Sequence, residues 1–219
     1  MLQVSGQDAA RFLSTMYTGQ LPSVSGDMTV EDGLFLNAEG QVVDAAHIVR
    51  LGAEEFLIVC AGENADELQE WLEAHAELSD DDGPVFAGVQ VTDVSSLLAL
   101  LVLYGKGAER VLADIVSACE GKVTVMGLPY KQAGGYFMPQ WPAYLLVAPV
   151  NAASSIGDFL MGDLNVEAVD YDAYASELEA RGAYVPQLYG AEYVKPADVG
   201  LEGLLRSDGG FVGARALGL

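Results

Sequence analysis

Leu101-Val102-Leu103-Tyr104-Gly105 repeats the pattern of Leu2-Gln3-Val4-Ser5-Gly6, and this repetition decides the fold. The two glycines set an offset of 99 (105 minus 6). After Gly6, the residues Ala9, Phe12, Leu13, Met16 and Tyr17 recur at helical spacing. After Gly105, the residues Ala108, Val111, Leu112, Ile115 and Val116 keep the same offset. A second unit repeats as well. Phe56-Leu57-Ile58-Val59-Cys60 precedes Leu68, Trp71 and Leu72, and Tyr144-Leu145-Leu146-Val147-Ala148 precedes Ile156, Phe159 and Leu160, at an offset of 88 (144 minus 56). Two strand-then-helix units repeated in order predict two similar α+β halves. A pseudo-symmetric pair of this kind usually holds its ligand between the halves.

Working outward, the first half reads as a strand at 2–4, a helix at 7–17, strands near 28–36 and 41–51, a strand at 55–60 and a helix at 65–76. Asn64 and Glu67 give that last helix a capping-box start. Asp80 to Pro84 is the clearest turn, with strands expected near 85–92 and 97–104. The second half predicts a helix at 107–118, strands near 122–126 and 129–137, a strand at 143–148 and a helix at 151–161. A strand near 165–169 and a helix near 171–181 complete it. A looser tail from Gly182 ends in a strand around Leu201–Arg206 and in Phe211-Val212-Gly213. Hairpin-like strand pairs interrupted by helices indicate α+β with mixed or antiparallel sheets, each half ferredoxin-like. The expected division is a lobe at 1–92, a lobe at 93–181 and a tail at 182–219 packing on them.

The chain has 219 residues, 51% of them hydrophobic, enough to bury a substantial core. Its longest apolar run, Leu97 to Tyr104, suits a buried strand and is far short of a bilayer span, so no membrane partner is expected. No signal peptide is visible, and Cys60 and Cys119 read as buried thiols, which fits a cytoplasmic chain. With 32 acidic against 10 basic residues, the net charge of −22 excludes nucleic acid as a partner, because phosphate neutralisation needs clustered Lys and Arg. The acidity reads as solubility, or as a salty or acid-tolerant habitat. Ser79-Asp80-Asp81-Asp82-Gly83 lacks the alternating ligands of a calcium loop and reads as a solvated turn. Gly105-Lys106-Gly107 lacks the third glycine of a dinucleotide loop, where Arg110 stands. Two histidines and no cysteine cluster give no zinc site.

Four groups of residues resemble the glycine-cleavage T-protein (aminomethyltransferase) family. Leu2 to Leu13 resembles its opening "l-V-x-G-x-d-A-x-x-f-L", and Asn37-Ala38-Glu39-Gly40-Gln41-Val42-Val43-Asp44 resembles its "N-x-x-G-x-I-x-D-D" hairpin. Leu178-Glu179-Ala180 with Leu188-Tyr189-Gly190-Ala191-Glu192 resembles "R-L-E-A … L-Y-G-x-E". Pro196-Ala197-Asp198-Val199-Gly200-Leu201 with Phe211 to Leu217 resembles "P-x-E-x-G-L … F-I-G-R-x-A-L". The resemblance implies two related lobes enclosing a cavity for tetrahydrofolate. The family also carries a preceding segment and a small following β-barrel. The chain therefore reads as a degenerate member without the barrel, either naturally minimal or incomplete, with a homo-oligomer or a partner chain able to supply what is missing.

The family reaction moves a methylene from an aminomethyl-lipoyl carrier to tetrahydrofolate and releases ammonia. The resemblance places a catalytic acid at the second Asp of the "D-D" pair, beside the folate nitrogens. This chain reads Asp44-Ala45, so a methyl group stands there. Strand alternation puts Val43, Ala45, His47 and Val49 on one face, and Val42, Asp44, Ala46, Ile48 and Arg50 on the other. Asp44 then points away from the acid's direction unless a bulge intervenes. Two readings stand for His47: a replacement polar group on the Ala45 face, or a half-buried structural histidine.

Two more family features fail. The "R-S/T-G-Y-T-G-E-x-G-F-E" loop is replaced by Gly134-Gly135-Tyr136-Phe137-Met138-Pro139-Gln140-Trp141-Pro142-Ala143-Tyr144, and Glu177 stands at the Arg of "R-L-E-A". The aromatics of the new loop suit stacking on a planar ligand, or else core filling or an oligomer contact. Arg181 to Leu188 matches the "K-G-C-Y-x-G-Q-E" of folate-dependent iron–sulfur maintenance proteins only at Gly182, Tyr184 and Gln187. Ala183 stands at the reactive cysteine. The expectation is a T-protein-like folate-binding domain without aminomethyltransferase activity, holding tetrahydrofolate or another small planar ligand. Asp44, His47, Tyr144 and Glu179 are its candidate ligand-binding residues, with no catalytic residue and no metal. An active aminomethyltransferase and a non-catalytic interaction module are the alternatives.

Overall fold

The structure, a computed structural model, describes residues 1–23, 30–60, 65–119, 126–129, 143–162, 166–170, 172–173, 176 and 194–219. The chain divides into two units, Met1–Asp93 with Val185–Leu219, and Val94–Tyr184. Antiparallel sheets and helices make it α+β.

In the first unit, β1 (Leu2–Ser5), α1 (Ala9–Met16), β2 (Val30–Leu36), β3 (Val42–Gly52), β4 (Glu55–Cys60) and α2 (Ala65–Ala76) follow the expected order. A two-residue hairpin, β5 (Ser79–Asp80) and β6 (Gly83–Pro84), forms the expected turn, with Asp80 Oδ1 accepting the Asp82 N–H at 2.9 Å. Strand β7 (Gln90–Asp93) is shorter than the expected 85–92. The sheet runs β2-β3-β4-β1-β7. Both of its faces are buried at β4, where Phe56, Leu57, Ile58 and Val59 are all 4% exposed or less. Phe12 and Leu13 of α1 and Leu68 and Leu72 of α2 share a core with Leu2, Ile48 and Ile58. Their apolar stripes, read from the sequence at helical spacing, are what press the helices onto this face.

The second unit holds β8 (Leu98–Tyr104), α3 (Ala108–Cys119), β9 (Met126–Pro129), β10 (Ala143–Pro149) and α4 (Val150–Met161), with sheet order β8-β10-β9. The duplication survives down to strand register. Leu2 pairs with Ile58 in the first unit, and Leu101 pairs with Leu146 in the second, their counterparts at offsets of 99 and 88. The same holds for Val4 with Phe56 and Leu103 with Tyr144. Gly6 and Gly105 both take positive φ, 121° and 118°, and each carbonyl accepts the N–H three residues on at 3.0 Å.

Two expectations differ from the structure, and two others fall largely outside the described residues. Strand β9 is described at Met126–Pro129, and the rest of the two strands expected at 122–126 and 129–137 lies outside the described residues. Residues 166–169 carry no strand. Of the helix expected near 171–181, 172–173 and 176 are helical, and the rest lies outside the described residues, as does Asn64. The tail strand at Leu201–Arg206 is instead a 3-10 turn, Glu202–Leu204, between two others at Pro196–Val199 and Ala214–Leu217. Gly200, at φ 72°, breaks extended geometry just ahead of it. The Thr18 hydroxyl then fixes the turn by donating to the Leu204 carbonyl at 3.0 Å, while the Thr18 carbonyl accepts the Arg206 N–H at 3.0 Å. Tertiary partners override the apolar run there. No helix among the described residues is long and apolar enough to cross a membrane.

Candidate functional site

The site is built on β2, β3 and β4. Strand β3 is bulged at Val43: Leu36 pairs with Val42 and Phe35 with Asp44, leaving Val43 as the extra residue. The bulge turns Val43 into the helix-side core with Ala46 and Ile48, so it does not share the Ala45 face as strand alternation alone predicts. From Asp44 onward the alternation is intact. Asp44 is 1% exposed, and its Oδ1 accepts the Ala45 N–H at 2.8 Å. It lies on the helix side, where its charge, after burial, helps push the Cys60 thiol up to about 12. An acid held there cannot serve on the opposite face.

That opposite face is read directly from register. Asp32 pairs with His47, Leu34 with Ala45, and Val30 with Val49 across β2 and β3; His47 pairs with Val59 and Val49 with Leu57 across β3 and β4. Ala45 is 3% exposed and its apolar neighbours Val30, Leu34, Val49, Leu57 and Val59 no more than 4%. Within this apolar field stands one polar pair. His47 Nδ1 donates to Asp32 Oδ1 at 2.5 Å, with side chains 13% and 6% exposed. An ionised carboxylate only accepts, so Asp32 fixes a proton on Nδ1 and orients the ring.

Below the hairpin, Tyr17 ties α1 to both strands. Its hydroxyl donates to the carbonyls of Glu31 and Ala46 at 2.8 and 2.9 Å, and burial, then Asp32 and Glu31, hold its phenol well above the ordinary value. A methyl on Gly33 would meet the Tyr17 ring at 2.5 Å, which explains the glycine after Asp32. The Asn37–Gly40 hairpin motif and the Phe211–Leu217 motif also find their reason here. A methyl on Gly213 would sit 2.5 Å from the Asn37 carbonyl, and one on Gly40 would sit 2.9 Å from Leu217. The Asn37–Gly40 hairpin and the Phe211–Leu217 segment are thus closed on each other.

The structure brings His47 onto the Ala45 face and sends Asp44 away from it. Tyr144, on β10 of the second unit, is half-buried, its phenol raised by burial and by the Glu109 charge. Glu179, Glu177 and the aromatic loop residues Tyr136, Phe137 and Trp141 lie outside the described residues. Sequence reasoning missed Asp32. Its signal was there: Asp32 interrupts Val30-x-Asp32-x-Leu34-x-Leu36 at the same level as His47 interrupts Ala45-x-His47-x-Val49. Among the described residues no group of three or more His, Cys, Asp or Glu is placed to hold a metal.

Residues 1–138, more than half of the chain, match the GCVT N-terminal domain family. The chain belongs to the GCVT N-terminal domain family. It is 31% identical over 113 residues to an aminomethyltransferase of Clostridium botulinum (strain Loch Maree / Type A3), covering 52% of this chain and 28% of that protein. To an aminomethyltransferase of Pelodictyon phaeoclathratiforme (strain DSM 5477 / BU-1) it is 31% identical over 117 residues, covering 53% of this chain and 30% of that one. These matches span about three-tenths of the relatives' length. The crystal structure of glycine cleavage system aminomethyltransferase T from Bartonella henselae superposes with a TM-score of 0.73 at 23% identity, covering 98% of this chain and 58% of that one. That likeness is one of fold. This GCVT N-terminal domain therefore carries the T-protein architecture, with a methyl side chain at Ala45 and a His–Asp pair beside it.

Proposed function

We propose that this GCVT N-terminal domain binds a reduced folate, or a similar planar heterocycle, and does not carry out aminomethyl transfer. One observation carries the reading: Ala45 occupies the strand position where the family resemblance calls for an acid, buried among apolar side chains. A methyl group neither takes a proton nor stabilises developing positive charge. Asp44 offers no substitute, because β3 alternates normally past the bulge and its carboxylate is held on the helix side by the Ala45 N–H. A positioned acid or base is worth about 10²- to 10⁴-fold in rate, so its loss removes useful turnover.

The His47–Asp32 pair favours a second reading, in which the imidazole serves as a displaced acid and transfer persists. The aminomethyltransferase activity named for the relatives is then retained. Calorimetric titration of the chain with 5-formyltetrahydrofolate tests the binding claim common to both readings. Saturable heat at one site per chain is expected. The absence of heat at millimolar ligand overturns both.

A further inference from the structure

We infer that residues 194–219 form a strap that opens as one unit, separately from the sheet beneath it, and that its closure holds the β2–β3 pair carrying Ala45. The inference is independent of the folate reading above. It starts at the C-terminal end of α1. Tyr17 leaves that helix in extended geometry, φ −103° and ψ 136°, so no left-handed cap forms and carbonyls of the last turn need partners from elsewhere. The tail supplies two of them. Arg206 Nη2 donates to the Ser14 carbonyl at 2.9 Å, and the Val212 N–H donates to the Thr15 carbonyl at 2.9 Å. The Arg206 side chain is 8% exposed, with its guanidinium 5.7 Å from the centre of the Phe211 ring and Asp208 Oδ1 3.3 Å from Nε. The helix dipole favours a cation at this end.

From the helix end the tail reaches the strands. The Thr18 hydroxyl accepts the Leu34 N–H at 2.8 Å and donates to the Leu204 carbonyl at 3.0 Å, and Leu34 is the cross-strand partner of Ala45. At the hairpin tip, the Val42 N–H donates to the Val194 carbonyl at 2.8 Å, beside the close approaches of Gly213 to Asn37 and of Leu217 to Gly40. The strap therefore grips the β2–β3 pair both at its tip and opposite Ala45. Little else holds it down. Its regular elements are three short 3-10 turns, and its buried residues are Pro196, Leu201, Leu204, Phe211 and Ala214. In β4, by contrast, every residue from Phe56 to Val59 is buried within a ladder. A segment with few buried apolar groups and no ladder of its own opens at lower free energy than a central strand.

Amide hydrogen exchange followed by NMR on the full chain, without ligand, tests the strap. The Arg206, Val212 and Val42 amides donate across its seam, to Thr18, Thr15 and Val194. In the wild type these three should exchange together, and faster than the amides of β1 and β4 by roughly tenfold or more. Arg206→Met keeps an aliphatic side chain over Phe211 and removes the charge and the bond to Ser14. It should quicken exchange at Val212, Val42 and Leu34 roughly 10- to 100-fold, the worth of a hydrogen bond to a charged group, and leave the amides of β8 and β10 unchanged. Arg206→Lys, which keeps a cation at the helix end, should fall between the two and carries the same comparison if the methionine variant does not fold. Tail and β1–β4 amides equally protected in the wild type overturn the strap as a separate unit, with no variant needed. Quickening confined to the tail, with Leu34 and Val42 unmoved, overturns its hold on the strand pair. Wild-type exchange in Arg206→Met overturns the part given to Arg206.

Discussion

Gly6 and Gly105 close equivalent strands with nearly the same φ, 121° and 118°, yet their described surroundings differ. A methyl on Gly6 would lie 1.8 Å from the Gly88 carbonyl, whereas one on Gly105 meets nothing within 4 Å among the described residues. The helices that follow differ in the same sense. Tyr17 is fully buried while its counterpart Val116 is 45% exposed, and half-buried Trp71 corresponds to Phe159, also 45% exposed. Duplication has kept backbone geometry and strand register in the two units while packing around them diverged. The His47–Asp32 pair lies in the first unit, where the sheet is sealed on both faces at β4.

Substitutions at matched positions sharpen this contrast. Gly6→Ala must displace backbone as well as strain φ, so a loss above about 4 kcal/mol is expected in chemical denaturation. Gly105→Ala, with no contact among the described residues, is expected to carry the conformational cost of a non-glycine residue at positive φ, about 1–2 kcal/mol. Equal losses at the two sites would show that the Gly88 contact is unimportant. At the next matched pair, Tyr17→Phe removes the hydroxyl shared by the Glu31 and Ala46 carbonyls and should cost about 1–3 kcal/mol, whereas Val116→Ser should stay within about 0.5 kcal/mol.

Alkaline pH gives a smaller and more selective test of the first unit. Burial raises both Tyr17 and Cys60, the latter to about 12, so the folded state holds these protons more tightly than the unfolded chain does. Their contribution is complete below the unfolded values and is lost as pH rises through 9 towards 12. Tyr17→Phe should flatten that fall, measured as denaturation midpoint against pH. Thiol labelling at pH 8 should follow the same division. Cys60 is expected to resist the reagent until the chain unfolds, because so little of it is thiolate, while Cys119, at the edge of an apolar groove of about 490 Å³ between α3 and α4, reacts first. Equal labelling rates would contradict the raised Cys60 thiol.

The repeat made most of this fold legible, since strand and helix periods and the two offsets place β1, α1, β4, α2 and their counterparts without tertiary information. The tail was not legible. Leu201, Leu204 and Phe211 form a pattern that suits a strand locally, and only Thr18 and the Gly213–Asn37 approach impose turns. At the site, strand alternation was enough to turn Asp44 away from Ala45. The bulge at Val43 was not, because nothing in Val42-Val43-Asp44 marks an inserted residue. Asp32 was hidden for another reason: one acid among 32 is conspicuous only once cross-strand register sets it opposite His47.

The central claim is that a methyl side chain at residue 45 leaves this GCVT N-terminal domain without transfer chemistry. Tetrahydrofolate-dependent ammonia release from an aminomethyl-lipoyl carrier measures it directly, on the wild-type chain beside Ala45→Asp. The account predicts background release from the wild type, with any gain confined to the variant. Rapid release from the wild type, unchanged by the aspartate, would contradict it.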